Sequence, residues 1–293
     1  MLDLSRLDFI RRGAFQRLFG GDPTSRSAGT LTSRVVCVAS GKGGTGKSIM
    51  ASNLAVTRAQ TGERVLLVDF DAGLANAHLL LGLAPRYDLG HLIDGGIELE
   101  QALVEGPQGM YLLSGGVGRA ALQNPTRREL DRLFRALRPA EDLFDLIVID
   151  HGAGMSYGTV AHLAASSTMI LVTSHEVTGL SDGYAIYKRA LMVNPHIRVG
   201  LVVNRAPSQA AADAAWDRFR AACQRFLASQ PEYIGWVPAD EAVSRSVENR
   251  VPVTLGEPQS PSARALREIS NWGAIELART SSAFYDRALR ALR

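Results

Sequence analysis

The chain has 293 residues, of which 46% are hydrophobic and 21% are charged, and its formal net charge is +3. These proportions are typical of a globular protein with a sizeable core, and the length suits one large α/β domain. No run of 18 apolar residues occurs and no secretory leader is visible, so we expect neither a membrane-spanning helix nor export. The two cysteines, Cys37 and Cys223, are too few for a metal cluster or a disulfide framework. We predict that both are buried thiols in a reducing cytosol.

The positive charge is concentrated at the two ends of the chain. Residues 1–26 carry five arginines against three aspartates, and residues 262–293 carry six arginines against three acidic residues. The ends thus contribute +2 and +3, which leaves −2 for the body between them. A body without a basic surplus does not have the charge of a nucleic-acid-binding surface, so we do not expect DNA as a partner.

Both ends of the chain contain a candidate amphipathic helix. The first lies within residues 1–32 and is followed by a Gly/Ser/Thr-rich linker over 20–32. Two interpretations of it stay open: a helix that lies in an anionic membrane interface, and a helix that packs on the core or on a partner. The helix near the C-terminus is a second candidate for the membrane interface. The apolar positions of the first helix are Leu4, Leu7, Ile10, Ala14, Phe15 and Leu18, and those of the second are Tyr285, Ala288, Leu289 and Leu292.

Apolar, strand-like runs alternate with helix-length stretches through the rest of the chain. This alternation favours an α/β fold with a doubly wound, mostly parallel sheet and helices on both faces, in a single domain over 33–270. Residues 271–293 are predicted to form a C-terminal helical tail. The predicted strands are Val35–Ala39, Val65–Val68, Met110–Leu113, Leu146–Ile149, Met169–Val172, Val199–Val203 and Tyr233–Val237. The predicted helices are Ile49–Gln60, Arg127–Leu137, Thr159–Ala165, Leu180–Leu191 and Ala210–Ser229.

Residues 41–48 match the phosphate-loop pattern G-x-x-x-x-G-K-S and lie between a predicted strand and a predicted helix. In such a loop the backbone N–H groups and the helix N-terminus face the phosphates of a nucleotide. Lys47 would reach the β- and γ-phosphates, and the Ser48 hydroxyl would ligate Mg²⁺. The pattern therefore predicts a nucleotide site made of Gly41, Lys42, Gly43, Gly44, Thr45, Gly46, Lys47 and Ser48.

Carboxylates follow two other predicted strands. Asp69 and Asp71 come after the second strand, and Asp150 ends the Walker B-like run Phe144–Asp150. Ligands of open parallel sheets bind beyond the carboxyl ends of the strands, and carboxylates placed there suit Mg²⁺ and its water. We predict that Asp150 contacts Mg²⁺ through water. A helix cap followed by a turn is the alternative interpretation of Asp69 and Asp71.

A second lysine inside the loop, Lys42, makes the sequence K-G-G-T-G-K-S resemble the deviant Walker A loop of the MinD/ParA family. The resemblance implies that Lys42 crosses a dimer interface to the partner's nucleotide, so that ATP binding and homodimerisation are one event. It implies that Asp71, in switch I, orients the attacking water, that Asp69 supports the metal shell, and that residues 151–154 form switch II. The expected catalytic residues are Lys42, Lys47 and Asp71, and the expected metal site is Ser48, Asp69 and Asp150.

The resemblance also covers the base of the nucleotide. Asn204 stands where the family has its adenine-reading asparagine, and an amide side chain offers both a donor and an acceptor to adenine. Residues 235–240 resemble the loop that closes over the base, which places Pro238 against it. The expected cofactors are ATP and Mg²⁺. His151 stands where the family usually has a small residue; we interpret it as a neutral variation, with a pH effect near the phosphates as the alternative.

Within the family, residues 34–255 look closest to the flagellar-number regulators of the FlhG/FleN type and to their MinD relatives. The stretches at 71–77, 105–109, 150–154 and 178–185 carry this likeness. It implies a cytoplasmic ATPase switch of slow turnover that controls flagellar number or placement through flagellar assembly proteins. It also implies reversible attachment to the inner face of the plasma membrane. A cell-division or chemoreceptor positioning ATPase and a non-hydrolysing nucleotide-binding scaffold stay open as alternatives.

Overall fold

The structure is a computed structural model that describes residues 33–71, 75–116, 125–277 and 283–293. The predicted N-terminal helix and linker over 1–32 lie outside the described residues. The strands are β1 Arg34–Ala39, β2 Val65–Phe70, β3 Val104–Glu105, β4 Tyr111–Leu113, β5 Leu146–His151, β6 Thr168–Ser174, β7 Arg198–Ala206 and β8 Glu232–Pro238. The longer helices are α1 Lys47–Gln60, α5 Arg127–Leu137, α7 Tyr157–Ala165, α8 Val177–Val193, α9 Gln209–Phe226, α10 Glu241–Asn249, α12 Pro261–Ser270 and α14 Phe284–Ala291. The shorter ones are α2 Ala77–Leu80, α3 Leu89–Asp94, α4 Leu99–Ala102, α6 Ala140–Leu143, α11 Val253–Gly256 and α13 Gly273–Glu276.

The eight strands form one sheet in the order β3-β4-β2-β5-β1-β6-β7-β8. All neighbouring pairs are parallel except β3–β4, which is antiparallel. This confirms the predicted doubly wound α/β fold, and each of the seven predicted strands is present. The sequence did not predict β3, because a strand of two residues is too short for a hydrophobic period to reveal it.

Successive residues of the central strands feed two separate apolar cores. On β1, Val35 and Cys37 belong to the core on one face of the sheet, and Val36 and Val38 belong to the core on the other. Such strands are apolar throughout because helices cover both faces of the sheet. Cys37 and Cys223 are free and buried, as predicted. Helix α9 ends at Phe226, three residues before the predicted end, where Leu227 turns the backbone to an extended conformation.

The C-terminal helices pack onto the same domain. Helix α14 lies against α7 and α5, and its Tyr285, Ala288 and Leu292 are buried. The apolar face that the sequence offered as a second membrane-binding candidate is therefore covered by the protein's own core. Glu276 of α13 pairs with Arg34 of β1 at 2.6 Å, which fastens this part of the chain to the sheet as well.

Candidate nucleotide-binding site

The predicted phosphate loop connects β1 to α1 at the carboxyl edge of the sheet. Gly44 and Gly46 have φ values of 75° and 90°, a left-handed conformation that glycine adopts without steric cost. Gly46 is the N-cap of α1 and makes no side-chain cap, so the first N–H groups of the helix are open to an anion. Lys47 is the first residue of α1 and is only 5% exposed.

Contacts within the loop and to helix α8 fix its shape. The hydroxyls of Ser40 and Thr45 both donate to the carbonyl oxygen of Lys42, at 2.8 Å and 3.3 Å. A Cβ atom on Gly41 would lie 2.2 Å from the carbonyl carbon and oxygen of Asp182, so only glycine allows this approach to α8. Hydrogen bonds within the loop and its packing against α8 thus fix its conformation.

Asp69 lies at the end of β2, directly opposite Asp150 of β5 in the parallel register. Its carboxylate accepts hydrogen bonds from the backbone N–H groups of Asp71, at 3.1 Å, and of Ala77, at 3.0 Å. Burial raises the pKa of Asp69 to about 6, although these two hydrogen bonds oppose the shift. Asp69 therefore fixes the segment that follows β2.

Asp150 is fully buried, and neither of its carboxylate oxygens has a hydrogen-bond partner among the described residues. Burial, with the charge of Asp69, raises the pKa of Asp150 to about 8. Ser48 and Lys47 lie close enough to lower this pKa, but neither donates a hydrogen bond of ordinary geometry to the carboxylate. An unpaired buried carboxylate is rare and needs a compensating charge, so its chemistry fits a divalent cation.

The described residues contain no cluster of three or more His, Cys, Asp or Glu side chains that could hold a metal ion. Such a cluster is not required for Mg²⁺, which keeps several waters and takes phosphate oxygens together with one or two protein ligands. The donor set at Ser48, Asp69 and Asp150 therefore suits Mg²⁺ bound with a nucleotide and does not suit a metal held by protein ligands alone.

The segments after β2 and β5 meet beside the loop. A Cβ atom on Gly152 would lie 3.1 Å from the Oδ1 atom of Asp71, and the N–H of Gly154 donates to the carbonyl oxygen of Ser40 at 3.3 Å. The predicted switch I and switch II stretches are thus in contact with each other and with the phosphate loop. Residues 72–74 lie outside the described residues. Lys42 is exposed on the loop.

A cavity of about 630 Å³ opens beside the loop, between β7, β8 and helix α10. Gly46, Asn204 and Pro238 line it, so the structure brings the two residues predicted to contact the base to one cavity beside the loop. Residues 235–238, predicted to close over the base as part of a loop, belong to strand β8.

Asn204 also braces the phosphate loop, which the sequence did not predict. Its Nδ2 donates to the carbonyl oxygen of Thr45 at 2.6 Å, and its Oδ1 accepts from the N–H of Arg205 at 3.0 Å. A Cβ atom on Gly46 would lie 2.2 Å from the same Nδ2, which explains why glycine is needed there. One N–H and one lone pair of the Asn204 amide remain for a base.

Arg205 is a site residue that the sequence did not single out. It lines the cavity with a φ of 57°, and a residue other than glycine in this conformation is uncommon outside functional sites and turns. No sequence pattern marks such a conformation at the end of an apolar strand.

His151 ends β5 and is buried, with its ring 5.2 Å from that of His162 and 5.8 Å from that of Phe70. Burial, with the nearby charge of Lys47, lowers the pKa of His151 to about 3. The imidazole is therefore neutral at physiological pH, which favours the interpretation of a neutral variation over that of a pH effect.

Residues 36–253 match the CobQ/CobB/MinD/ParA nucleotide binding domain, and the chain belongs to this family. It is 31% identical over 237 residues to the antiactivator FleN of Pseudomonas aeruginosa, and this aligned region covers 81% of this chain and 85% of that protein. It is 26% identical over 268 residues to the flagellum site-determining protein YlxH of Helicobacter pylori, and this aligned region covers 88% of this chain and 90% of that protein. Among solved structures, the chain is similar to the septum site-determining protein MinD of Pyrococcus horikoshii complexed with Mg-ADP. The two superpose with a TM-score of 0.67 at 25% sequence identity, and the match covers 81% of this chain and 94% of that chain.

Proposed function

We propose that this chain is an ATP-dependent, dimerising switch ATPase that controls the number or placement of flagella. The observation that carries the proposal is Asp150, a fully buried carboxylate without a hydrogen-bond partner among the described residues, beside a phosphate loop. A bound cation, together with the nearby charge of Lys47, gives such a group a favourable environment, and a phosphate loop supplies the nucleotide that brings the cation.

In this proposal the loop residues 41–48 hold the ATP phosphates, and Ser48 and Asp150 hold Mg²⁺ with support from Asp69. Mg²⁺, when bound, neutralises phosphate charge and favours transfer of the γ-phosphoryl group. Asn204 and Pro238 contact the adenine. The relative complexed with Mg-ADP supports this choice of ligands.

Asp71 is proposed to orient the attacking water. Its carboxylate lies at the meeting point of the segments after β2 and β5, beside the phosphate loop. Lys47 stabilises the charge on the phosphates from within the same chain. Lys42, exposed on the loop, is proposed to reach the nucleotide of a second copy and to offset charge in the transition state.

The biological role is proposed from the relatives. FleN and YlxH each align over more than four-fifths of this chain and of their own length. We accordingly propose flagellar assembly proteins as partners and action at the cytoplasmic face of the membrane, with residues 1–32 as the attachment. None of the described helices is long and apolar enough to cross a membrane. A cell-division positioning ATPase is the second candidate, which the MinD-like structures support.

The nucleotide part is tested by titrating Mg-ATP into the wild type and into Lys47→Ala in a calorimeter. Lys47→Ala should lose measurable binding, because it removes the only buried cation of the described loop residues. Equal affinity in the two proteins would refute a nucleotide site at this loop.

The biological part is tested in cells that lack the gene, by counting flagella per cell and measuring the position of division septa. Altered flagella with normal septa, restored by the wild type and not by Asp71→Ala, are expected. Normal flagella with misplaced septa would replace the flagellar role with the division role.

A further inference from the structure

Helices α5 and α14 lie side by side in opposite directions, although more than 140 residues separate them in sequence. At one end Arg138, the residue that directly follows α5, pairs with Asp286 of α14 at 3.5 Å. Towards the other end, a hydrogen bond from Arg135 lowers the pKa of Asp131 of α5, and the charges of Arg293 and Arg127 act in the same direction. The fold thereby joins two charged stretches into one surface.

We call this surface the arginine face. Arg127, Asp131 and Arg135 recur every four residues along one side of α5, and Arg138 follows its last turn. Asp286 and Arg290 are likewise four residues apart on α14, and Arg293 follows its last turn. Five arginines stand against two aspartates, four of the arginines are exposed, and Arg138 also pairs with the neighbouring Asp142 at 3.4 Å. The members of the face are Arg127, Asp131, Arg135, Arg138, Asp286, Arg290 and Arg293.

The aspartates within the face indicate which kind of anion it suits. Arg135 binds the carboxylate of Asp131 through Nε at 2.8 Å, so the face already holds carboxylates in the geometry that a guanidinium favours. The aspartates interrupt the row of arginines, which fits a few separate carboxylates better than the continuous row of phosphates of a nucleic acid. A membrane is disfavoured because Phe284 and Tyr285, on the apolar side of α14, are buried in the core and cannot insert.

An exposed aromatic residue borders the face. Tyr157 is 47% exposed, and its hydroxyl donates to the carbonyl oxygen of Leu292 at the end of α14 at 3.2 Å. Tyrosine and arginine are the side chains that most often dominate the binding energy of protein interfaces. Tyr157 is also the first residue of α7, which directly follows the segment that meets Asp71 at Gly152.

We propose that the arginine face, with Tyr157 at its edge, is the docking surface for an acidic segment of a partner protein. Carboxylates of the segment pair with Arg127, Arg290 and Arg293, since Arg135 is held by Asp131, and one apolar or aromatic side chain packs on Tyr157. Since Tyr157 begins α7, the bound segment touches the helix that follows the nucleotide site. The surface is separate from the phosphate loop, so the inference does not depend on the proposed function.

The test uses the full chain and a fluorescein-labelled peptide in which glutamates alternate with alanines around one central phenylalanine, measured by fluorescence anisotropy. The double variant Arg290→Glu, Arg293→Glu should weaken binding by about tenfold or more, because reversal of each exposed charge removes an attraction and adds a repulsion. The matched control reverses Arg218 and Arg220, two exposed arginines on α9, and should bind almost as the wild type does. Tyr157→Ala should also weaken binding.

Arg127→Glu should also weaken binding. This substitution leaves α14 unchanged and places an acid in the first turn of α5, where the helix dipole favours it. A loss of binding in this variant would therefore not reflect unfolding of α14. Equal losses in the α14 variant and in the α9 control would overturn the proposal, because binding would then follow net charge alone. Tighter binding of duplex DNA, or of vesicles of phosphatidylglycerol and phosphatidylcholine, with the same sensitivity to Arg290 and Arg293, would overturn it in favour of those ligands.

Discussion

At the scale of single residues, the carboxylate of Asp150 connects stability with function. Burial raises the pKa of Asp150 to about 8, so folding at neutral pH either protonates this carboxyl or buries its charge. Either event lowers the free energy of unfolding, and a bound cation offsets that loss. Sites of this kind are stabilised by substitutions that abolish their function.

The variant Asp150→Asn should therefore raise the free energy of unfolding of the nucleotide-free protein at neutral pH by about 1–3 kcal/mol, because an amide is neutral in both the folded and the unfolded chain. The same variant should lose the dependence of ATP affinity on Mg²⁺. Chemical denaturation and calorimetry measure the two effects, with the exposed Asp217→Asn as the control that changes neither. A less stable variant that keeps its Mg²⁺ dependence would contradict the assignment.

Two glycines of the loop give a matched pair of substitutions. Gly41→Ala should destabilise the protein by about 1–3 kcal/mol and weaken ATP binding, because its Cβ would meet the backbone of Asp182 at 2.2 Å. Gly43→Ala should leave the stability of the nucleotide-free protein close to that of the wild type, since a Cβ there has no protein atom within 4 Å. Thermal unfolding with and without ATP separates the two variants. Equal behaviour would show that the loop does not approach α8 as described.

Sequence spacing was sufficient to place the loop lysines and the three aspartates, because each follows an apolar strand and parallel strands end at one edge of a sheet. The bracing contact from Asn204 to Thr45 could not be predicted in this way. It depends on how closely β7 approaches the loop, and a contact between residues so far apart in sequence leaves no local pattern. The left-handed backbone conformation of Arg205 could not be predicted either, because no local sequence pattern marks it.

At the scale of elements, the seven longer strands were predictable because their residues are apolar on both faces. The helices of four to six residues between β2 and β4 were not predicted, because each is shorter than two helical turns and shows no hydrophobic period. The packing of α14 was also not predictable. Its apolar stripe suits a membrane surface and a protein core equally well, and only the neighbouring helices decide between them.

Helix α14 depends on an acceptor from another helix. Glu141 of α6 is buried and accepts hydrogen bonds from the N–H groups of Phe284 and Tyr285, at 2.7 Å and 2.9 Å. Glu141→Ala should cost about 1–3 kcal/mol, because two buried N–H groups lose their acceptor. Amide hydrogen exchange should then show faster exchange in α14. The neighbouring exposed Asp142→Ala is the control, and equal protection of α14 in both variants would contradict the capping role.

His162 of α7 is buried against α5 and α14, where the ring of Phe134 is 4.6 Å and that of Phe284 is 5.5 Å from its own. Burial holds the pKa of His162 well below its ordinary value of 6.5. Below pH 6.5 the histidine of the unfolded chain binds a proton that the buried histidine of the folded chain does not. The free energy of unfolding therefore falls as the pH falls, by about 1.4 kcal/mol per pH unit for this group.

His162→Phe should therefore flatten the fall in the free energy of unfolding between neutral and mildly acidic pH. Denaturation at a series of pH values measures the slope. His196→Gln, which changes an exposed histidine, should leave the slope as it is in the wild type. An unchanged slope in His162→Phe would mean that this imidazole is not held neutral by burial.

At the scale of the whole molecule, the fold brings together charges that the sequence keeps apart. Counting charges along the chain assigned the basic surplus to the two ends, yet α14 brings the C-terminal arginines alongside those of α5. The same arrangement packs α14 on α7, whose first residues follow the segment in contact with Asp71. The nucleotide site and the arginine face are thus joined by one helix.

The central claim is that ATP converts the protein into a dimer and that hydrolysis reverses the change. The most direct test is the molar mass by light scattering in Mg-ATP and in Mg-ADP, for the wild type, Asp71→Ala and Lys42→Ala. Asp71→Ala should stay a dimer in ATP, because it keeps the phosphate contacts and loses the positioned water. Lys42→Ala should be a monomer in both nucleotides, and the wild type should return to a monomer as ATP is consumed. A monomeric Asp71→Ala protein with ATP bound would contradict the claim.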